Sequence, residues 1–229
     1  MTKHCCSTGF CLLNNVALGV VHARLKWGIK RIAIVDLDVH FGNGTAQIFA
    51  NDPNVLFASV HMQQTEDGAP FFPFPEQSEH DVTKPCDSQL MVQVLPQAVA
   101  AKFPDRLAGR KGFLRGVAEV ILPALRSFRP EMVFISAGFD GCNTDPLGNE
   151  LGLEAVDFHA ATTMLVDAAE AEPLCGGRLV SVLEGGYDVA GETVAESGLA
   201  HCAKAHVLAL MGDLPPPREH RVVESPEEA

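Results

Sequence analysis

Four short runs of mostly apolar residues constrain the fold of this chain more than any other feature. They read IAIVDL, VLFASV, MVFISA and LVSVL, and they occupy residues 32–37, 55–60, 132–137 and 179–183. Their apolar side chains fall on both faces of an extended strand, which is typical of strands that are covered on both sides. Stretches with helical spacing separate the runs, so we predict an α/β fold with a mainly parallel sheet.

The intervening segments fit this interpretation. The spacing of apolar residues predicts helices at about 12–26, 113–128, 151–172 and 193–211, and a further short strand at 89–95. Gly28 follows the first of these helices and is expected to end it.

The chain is expected to form one domain followed by a tail. Its 229 residues include 47% hydrophobic residues and contain no repeat or linker, so residues 1–212 are predicted to share a single core. Residues 63–88, rich in Pro, Gln and acidic residues, are predicted to be a long loop, and loops of that length are often functional. The acidic, Pro-rich segment 213–229 is expected to be disordered.

Charge and cysteine content restrict the classes of partner and compartment. The net charge of −12 disfavours direct nucleic-acid binding, which needs clustered Lys and Arg. It suits a cationic partner such as a Lys-rich peptide, although many soluble proteins are equally acidic. Seven cysteines without a paired pattern or secretory leader indicate a reducing compartment, cytoplasm or nucleus, rather than secretion. No apolar run is long enough to span a bilayer, so no membrane association is expected.

Two carboxylates and an imidazole follow the first predicted strand in the segment VDLDVHFGNGT. Alternating residues of a strand point to one face, so Asp36, Asp38 and His40 are predicted to stack on one side. Buried charges are costly without compensation, and a metal ion bound by Asp38 and His40 would supply it. An acidic strand end exposed to solvent explains this pattern about equally well when it is taken alone.

A second polar cluster favours the metal interpretation. Asp140 follows the strand MVFISA and can supply an oxygen ligand from another strand, while Asp145 is expected to lie behind it. In an open parallel sheet, ligands bind in the crevice outside the carboxyl ends of the strands. Two carboxylates and one His leave an open coordination position, which is typical of a catalytic zinc site.

Tyr187, the only tyrosine, stands in the segment LEGGYD after the fourth strand. Two preceding glycines permit a tight turn that would project the phenol into the crevice. There it could donate a hydrogen bond to the oxyanion of a tetrahedral intermediate. A tyrosine packed in the core is the alternative, and beside the predicted metal ligands we consider it the weaker one.

Together, the segments GFCLLNN, VDLDVHFGNGT, SAGFDGCNTDPLG and LEGGYD resemble motifs of the zinc-dependent histone deacetylase family, in order and over residues 7–210. The resemblance implies a three-layer α/β/α fold of the arginase/deacetylase type. It implies that Asp38, His40 and Asp140 bind zinc, which activates water for attack on an acetyl-lysine amide of a histone tail or another protein. Tyr187 would polarise the acetyl carbonyl.

The same resemblance implies further site residues. Asp36, Ser59 and the main chain around Asp38, His40 and Val60 would form an inner monovalent-cation site, usually for potassium. The walls of the channel for the lysine side chain would include Gly9, Phe10, Phe72 and Leu147. Leu147 stands where members that prefer acetylated polyamines carry an acidic residue, which favours a protein substrate.

The sequence also departs from the family pattern. The family has two adjacent histidines, acting as base and acid, a short distance before the GFC segment; here the second would fall at Met1, and neither is present. His4 lies three positions too late to replace it. The first strands of the family's sheet are expected to be missing as well. We favour an incomplete start over a degenerate family member, because the predicted metal ligands and Tyr187 are retained.

Three other functions stay open at this point. An acetylpolyamine-type amidohydrolase is disfavoured by Leu147, and an arginase-like hydrolase needs a second set of Asp and His ligands that the sequence lacks. A zinc-binding or acyl-lysine-binding scaffold without turnover would explain the missing histidines. Corepressor-type protein partners are compatible with either a deacetylase or a scaffold.

Overall fold

The structure is a computed structural model that describes residues 9–63, 88–191 and 196–213. These residues contain five strands and six α-helices. The strands are β1 (Ile32–Asp36), β2 (Val55–Met62), β3 (Gln89–Val94), β4 (Met132–Ala137) and β5 (Leu179–Leu183). The helices are α1 (Asn15–Trp27), α2 (Asn43–Ile48), α3 (Gly109–Arg115), α4 (Leu122–Phe128), α5 (Ala155–Ala171) and α6 (Gly198–Leu210).

The five strands form one parallel sheet in the order β3-β2-β1-β4-β5. The chain first adds strands on one side of β1 and then returns to add β4 and β5 on the other. The carboxyl ends of β1 and β4 therefore flank the point where the strand order reverses, which is where ligands bind in open sheets of this kind.

Helices cover both faces of the sheet, and alternate residues of each strand enter one of two apolar clusters. On β1, Ile32 and Ile34 pack in the cluster that contains α1. Ala33 and Val35 pack in the larger cluster, which contains residues of α4, α5 and α6. The predicted three-layer α/β/α fold is confirmed.

Local sequence accounts for where the helices begin and end. The Asn14 side chain accepts a hydrogen bond from the backbone N–H of Ala17 at 2.7 Å and starts α1, and Gly28 ends it with φ of 68°. At α5, the side chains of Glu154 and Asp157 cap the first turn reciprocally.

The structure differs from the sequence predictions at several boundaries. The helix predicted at 113–128 begins at Gly109 and contains a π-helical segment, Gly116–Ile121, which ends two residues before Pro123. The helix predicted at 151–172 is preceded by a separate 3-10 turn, Asn149–Leu151.

Other predictions lie partly outside the described residues. Residues 64–87 of the predicted loop, and nearly all of the predicted tail, fall there. Asp213, the first tail residue, is described, and its main chain accepts a hydrogen bond from His159 at 2.8 Å if that ring nitrogen is protonated. None of the helices in the described ranges combines the length and apolar character that crossing a membrane requires.

Candidate metal centre

Asp38, His40 and Asp140 meet at the carboxyl ends of β1 and β4, and their ligand atoms all lie within 4.8 Å of one another. The His40 Nδ1 atom is 3.1 Å from Asp38 Oδ1 and 2.9 Å from Asp140 Oδ2. The structure thus brings together three residues, two from one loop and one from a loop about a hundred positions further along the chain.

The placement of the first two residues differs from the predicted stacking on a strand. Strand β1 ends at Asp36, so Asp38 and His40 lie in the loop that follows it. There the Asp38 N–H donates to Asp36 Oδ1 at 3.1 Å, and the His40 N–H donates to Asp38 Oδ1 at 2.8 Å. These bonds hold the loop in a compact turn that directs the two side chains to one place.

Further backbone N–H groups fix the two carboxylates. Val39 donates to Asp140 Oδ1 at 3.1 Å, and Gly185, just after β5, donates to Asp38 Oδ2 at 3.2 Å. Each carboxylate is therefore oriented by a loop other than its own, as is common for metal ligands.

The centre carries an excess of negative charge. Burial lowers the pKa of His40, but its hydrogen bonds with Asp140 and Asp38 outweigh burial and raise the pKa to about 10. Burial, followed by the charge of Asp38, raises the pKa of Asp140 to about 6. Burial and the charge of Asp38 also raise the pKa of Asp36 well above its usual range. These shifts mean that the cluster favours a bound cation.

The residues fit a zinc ion. Zinc binds His nitrogen and carboxylate oxygen at about 2.0–2.2 Å, which places neighbouring tetrahedral ligands about 3.3 Å apart. The distances from His40 Nδ1 to the two carboxylates, 2.9 and 3.1 Å, are only a few tenths of an ångström shorter. A small outward movement of His40 therefore makes room for the ion, and the three ligands leave a fourth position open.

Two glycines let the loops approach this centre. A Cβ atom at Gly138 would lie 2.3 Å from Asp38 Oδ2, and one at Gly185 would lie 2.4 Å from Asp140 Oδ2. Real Cβ atoms do not come this close to other atoms, so any side chain at either position displaces a carboxylate.

Tyr187 lies at the edge of the centre and is 37% exposed. Its ring meets Phe10 edge-to-face, with centroids 5.9 Å apart. Reduced hydration, followed by the charges of Asp140 and Asp38, raises its pKa to about 12, so the phenol keeps its proton at neutral pH and can donate it in a hydrogen bond.

The residues predicted for the inner cation site lie in adjacent strands. Asp36 pairs in register with Ser59, and both side chains are buried. The Ser59 hydroxyl lies 2.9 Å from the ring nitrogen Nδ1 of His61. The side chain of Val60 enters the opposite apolar cluster, so this residue offers the site only its main chain. A potassium site here stays a prediction.

The predicted channel residues lie at the exposed rim. Phe10 is 84% exposed and Leu147 is 45% exposed, while Gly9 is also exposed and adopts φ of 60°. Phe72 lies outside the described residues. Their role as channel walls stays a prediction.

Glu184 also faces this centre, and the sequence patterns did not predict it. This residue follows β5, accepts a hydrogen bond from the Ser136 side chain and lies in the field of Asp38. Reduced hydration and that charge raise the pKa of Glu184 to about 7. Its position after a third parallel strand could have indicated it, since the carboxyl ends of these strands share one edge.

Comparisons with known proteins identify the family. Residues 2–205 match the model of the histone deacetylase domain. The chain is 37% identical over 207 residues to type-2 histone deacetylase 2 of Dictyostelium discoideum, covering 90% of this chain and 11% of that protein. It is 36% identical to the polyamine deacetylase HDAC10 of Mus musculus, covering 94% of this chain and 29% of that protein. A probable deacetylase of Archaeoglobus fulgidus is 39% identical, with 80% of this chain and 46% of that protein covered.

Solved structures agree with the sequence comparisons. The crystal structure of the HDA15 HD domain matches with a TM-score of 0.69 and 31% identity, and the match covers 92% of this chain and 53% of that one. The chain thus spans about half of that domain and less than half of the curated relatives named above. The motifs, the sheet and these matches agree, and the chain belongs to the histone deacetylase family.

Proposed function

We propose that this chain carries the metal-binding half of a zinc-dependent deacetylase that hydrolyses the acetyl-lysine amide of histones or other proteins. The observation that carries the proposal is the gathering of the ligand atoms of Asp38, His40 and Asp140 within 4.8 Å of one another, with Tyr187 close enough for the charges of Asp140 and Asp38 to raise its pKa. Family membership supports hydrolysis of an acetylated amine; the zinc requirement and the protein substrate are the proposed parts.

Each residue has a distinct part in this reaction. Asp38, His40 and Asp140 would hold zinc, which, when bound, acts as a Lewis acid toward the carbonyl and activates water. Tyr187 would donate a hydrogen bond to the oxygen that gains negative charge as the amide carbon becomes tetrahedral. Because its pKa of about 12 keeps the phenol protonated, this donor is present across the neutral pH range.

The rim favours a long, uncharged side chain over a polyamine. Phe10 and Leu147 are both apolar and exposed, and they suit the methylene chain of an acetylated lysine. An acetylated polyamine keeps protonated amines along its length, and neither rim residue carries the negative charge that would form an ion pair with them. Three polyamine deacetylases among the relatives, at 36%, 35% and 33% identity, support a polyamine substrate as the second candidate.

A third candidate is a scaffold that binds zinc or acyl-lysine without turnover. Proton transfer to the departing amine requires an acid, and the family's two histidines are not in this sequence. Loss of a positioned base typically removes about 10²–10⁴-fold in rate. For this candidate and for the first one, we also propose corepressor-type protein partners and a cytoplasmic or nuclear location.

The test measures zinc content and acetate release with an acetyl-lysine peptide and with N-acetylputrescine. The chain is compared with a version extended upstream so that two adjacent histidines precede the GFC segment. We expect one zinc per chain in both versions and faster acetate release from the peptide in the extended one. In the extended version Tyr187→Phe should lose about 10²–10³-fold in kcat while it keeps its zinc.

Each alternative has its own result. Preference for N-acetylputrescine supports the polyamine candidate, and zinc binding without turnover in either version supports the scaffold. If neither version binds zinc, the assignment of Asp38, His40 and Asp140 as ligands is wrong.

A further inference from the structure

Asp145 anchors two loops through one buried carboxylate. Its side chain belongs to the loop 140–148, which follows β4, and is 1% exposed. Oδ1 accepts the N–H of Leu147 at 2.8 Å, while Oδ2 accepts the N–H groups of Tyr187 at 2.6 Å and Asp188 at 3.2 Å. The loop 184–191, which follows β5, is thereby tied to the loop 140–148 at the residue that carries the phenol.

The two loops are also tied in the opposite direction. The Thr144 hydroxyl donates to Oδ2 of Asp188, so each loop supplies a carboxylate that accepts from the other. Asp188 Oδ2 also accepts the N–H of Gly198 at 3.0 Å, which joins the pair to the first turn of α6. This arrangement leaves the main chain on both sides of Tyr187 little freedom to shift.

Among side chains of this size, only a carboxylate can accept all three of the hydrogen bonds that are made at position 145. Both of its oxygens accept, whereas the amide of an asparagine accepts at one atom and donates at the other. Asparagine could therefore bind Leu147 or the Tyr187 loop, but not both. In the described part of the chain no cationic side chain forms an ion pair with Asp145, so backbone N–H groups alone compensate its burial.

We propose that Asp145 is a positioning residue that holds the Tyr187 phenol and the Leu147 rim in one fixed arrangement beside the metal centre. The inference rests on the proposed function, since it assigns the anchor through which the oxyanion donor acts. It also means that the position of the rim residue and the position of the donor are not independent: a change that moves Leu147 pulls on the carboxylate that orients Tyr187.

The test uses the fact that Tyr187 is the only tyrosine in the chain. Incorporation of 3-fluorotyrosine gives a single fluorine NMR resonance that reports on this side chain alone. We compare the zinc-loaded chain with Asp145→Asn and with Asp157→Asn, a control that removes another buried carboxylate, 4% exposed, from the start of α5. We expect Asp145→Asn to shift or split the resonance with zinc content unchanged, and Asp157→Asn to lower stability without moving it.

Turnover supplies a second readout. In a version that releases acetate, Asp145→Asn should lower kcat about 10–100-fold, since misplacement by about 1 Å can cost about 100-fold, and should cost nothing further when added to Tyr187→Phe. If Asp145→Asn does not fold, Thr144→Val, at an exposed position, breaks the reciprocal bond and should move the resonance in the same direction.

The outcomes separate this proposal from the proposed function. A resonance that is the same in Asp145→Asn and the unaltered chain overturns the positioning role, whatever the activity. Additive losses in the double variant overturn it as well. A chain that releases no acetate refutes the proposed function, while the fluorine resonance still decides on Asp145.

Discussion

Replacing Gly185 by alanine should weaken zinc binding without unfolding the chain. The added Cβ atom would lie 2.4 Å from Asp140 Oδ2 and 2.6 Å from Asp38 Oδ2, one oxygen from each carboxylate of the centre. Gly185 is not among the glycines with positive φ, so alanine fits the backbone and the effect arises from the methyl group alone. The main chain there is held by the N–H bond to Asp38 and by the Gly185 carbonyl, which accepts from Phe139 at 2.9 Å.

The size of the effect follows from the distances. A Cβ atom needs at least about 3.0 Å, so the carboxylates must retreat by about 0.6 Å and about 0.4 Å. Ligand positions in a working zinc site are held to about 0.2 Å. We therefore expect zinc affinity to fall about 10–100-fold, the range seen when outer groups that orient ligands are lost.

Competition with a chromophoric chelator measures the affinity, and circular dichroism checks the fold. Gly44→Ala is the matched control, because its Cβ atom would meet only Asn14 Nδ2, at 4.0 Å, within the exposed part of α2. Its zinc affinity should equal that of the unaltered chain. If Gly185→Ala also binds zinc within twofold of the unaltered chain, the carboxylates are not confined as the structure indicates, and the reasoning fails.

Three further predictions concern stability. Burial lowers the pKa of His206 to about 4, below its unfolded value of 6.5, so the free energy that neutral His206 contributes to folding is fully present above pH 6.5 and is lost as the pH falls toward 4. The unaltered chain should therefore lose about 2 kcal/mol of unfolding free energy through this group between pH 7 and pH 5, and urea unfolding should show that His206→Gln removes that loss. Gly28→Ala should destabilise the chain by about 1 kcal/mol in the same assay, because Gly28 has φ of 68° and no neighbour that a Cβ would touch. Asp157→Asn should cost about 1–3 kcal/mol, because it removes the negative charge that faces Arg110 and leaves one accepting oxygen where the bonds from Arg110 and the Glu154 N–H now use two; an unchanged midpoint would show that water replaces these bonds.

The strands were predictable because their composition is decisive. The run IAIVD is apolar on both faces, and β1 occupies Ile32–Asp36, close to the predicted 32–37. Helix α2 was missed because its six residues, NGTAQI, show no apolar periodicity. Only Thr45 and Ala46 are buried, and the side chain of Asn14 donates to the Thr45 hydroxyl at 2.9 Å, which ties the helix to the start of α1. Such tertiary contacts leave no repeating signal in the sequence.

Part of the candidate site was also predictable from the sequence, and part of it was not. The placement of Asp38, His40 and Asp140 at strand ends followed from the pattern of polar residues after apolar runs. The hydrogen bonds that Asp145 accepts from Tyr187 and Asp188 could not be predicted, because they depend on how two loops about forty residues apart in sequence are placed in space. Glu184 was overlooked because its contact with Ser136 depends on which strands are neighbours, and composition does not give the strand order.

The order of the strands also determines when during folding a metal can be captured. Asp38 and His40 are close in sequence, but the third proposed ligand, Asp140, is 100 positions from His40 and joins them only once β4 pairs with β1. Zinc therefore cannot nucleate this fold as it does in small metal-stabilised domains, where the ligands gather as the chain folds around the ion. Formation of the sheet must come first, and such long-range pairing is slow. Under the proposed function, full coordination of zinc therefore follows the pairing of β1 with β4, and the zinc content of the chain reports on whether these two strands have paired.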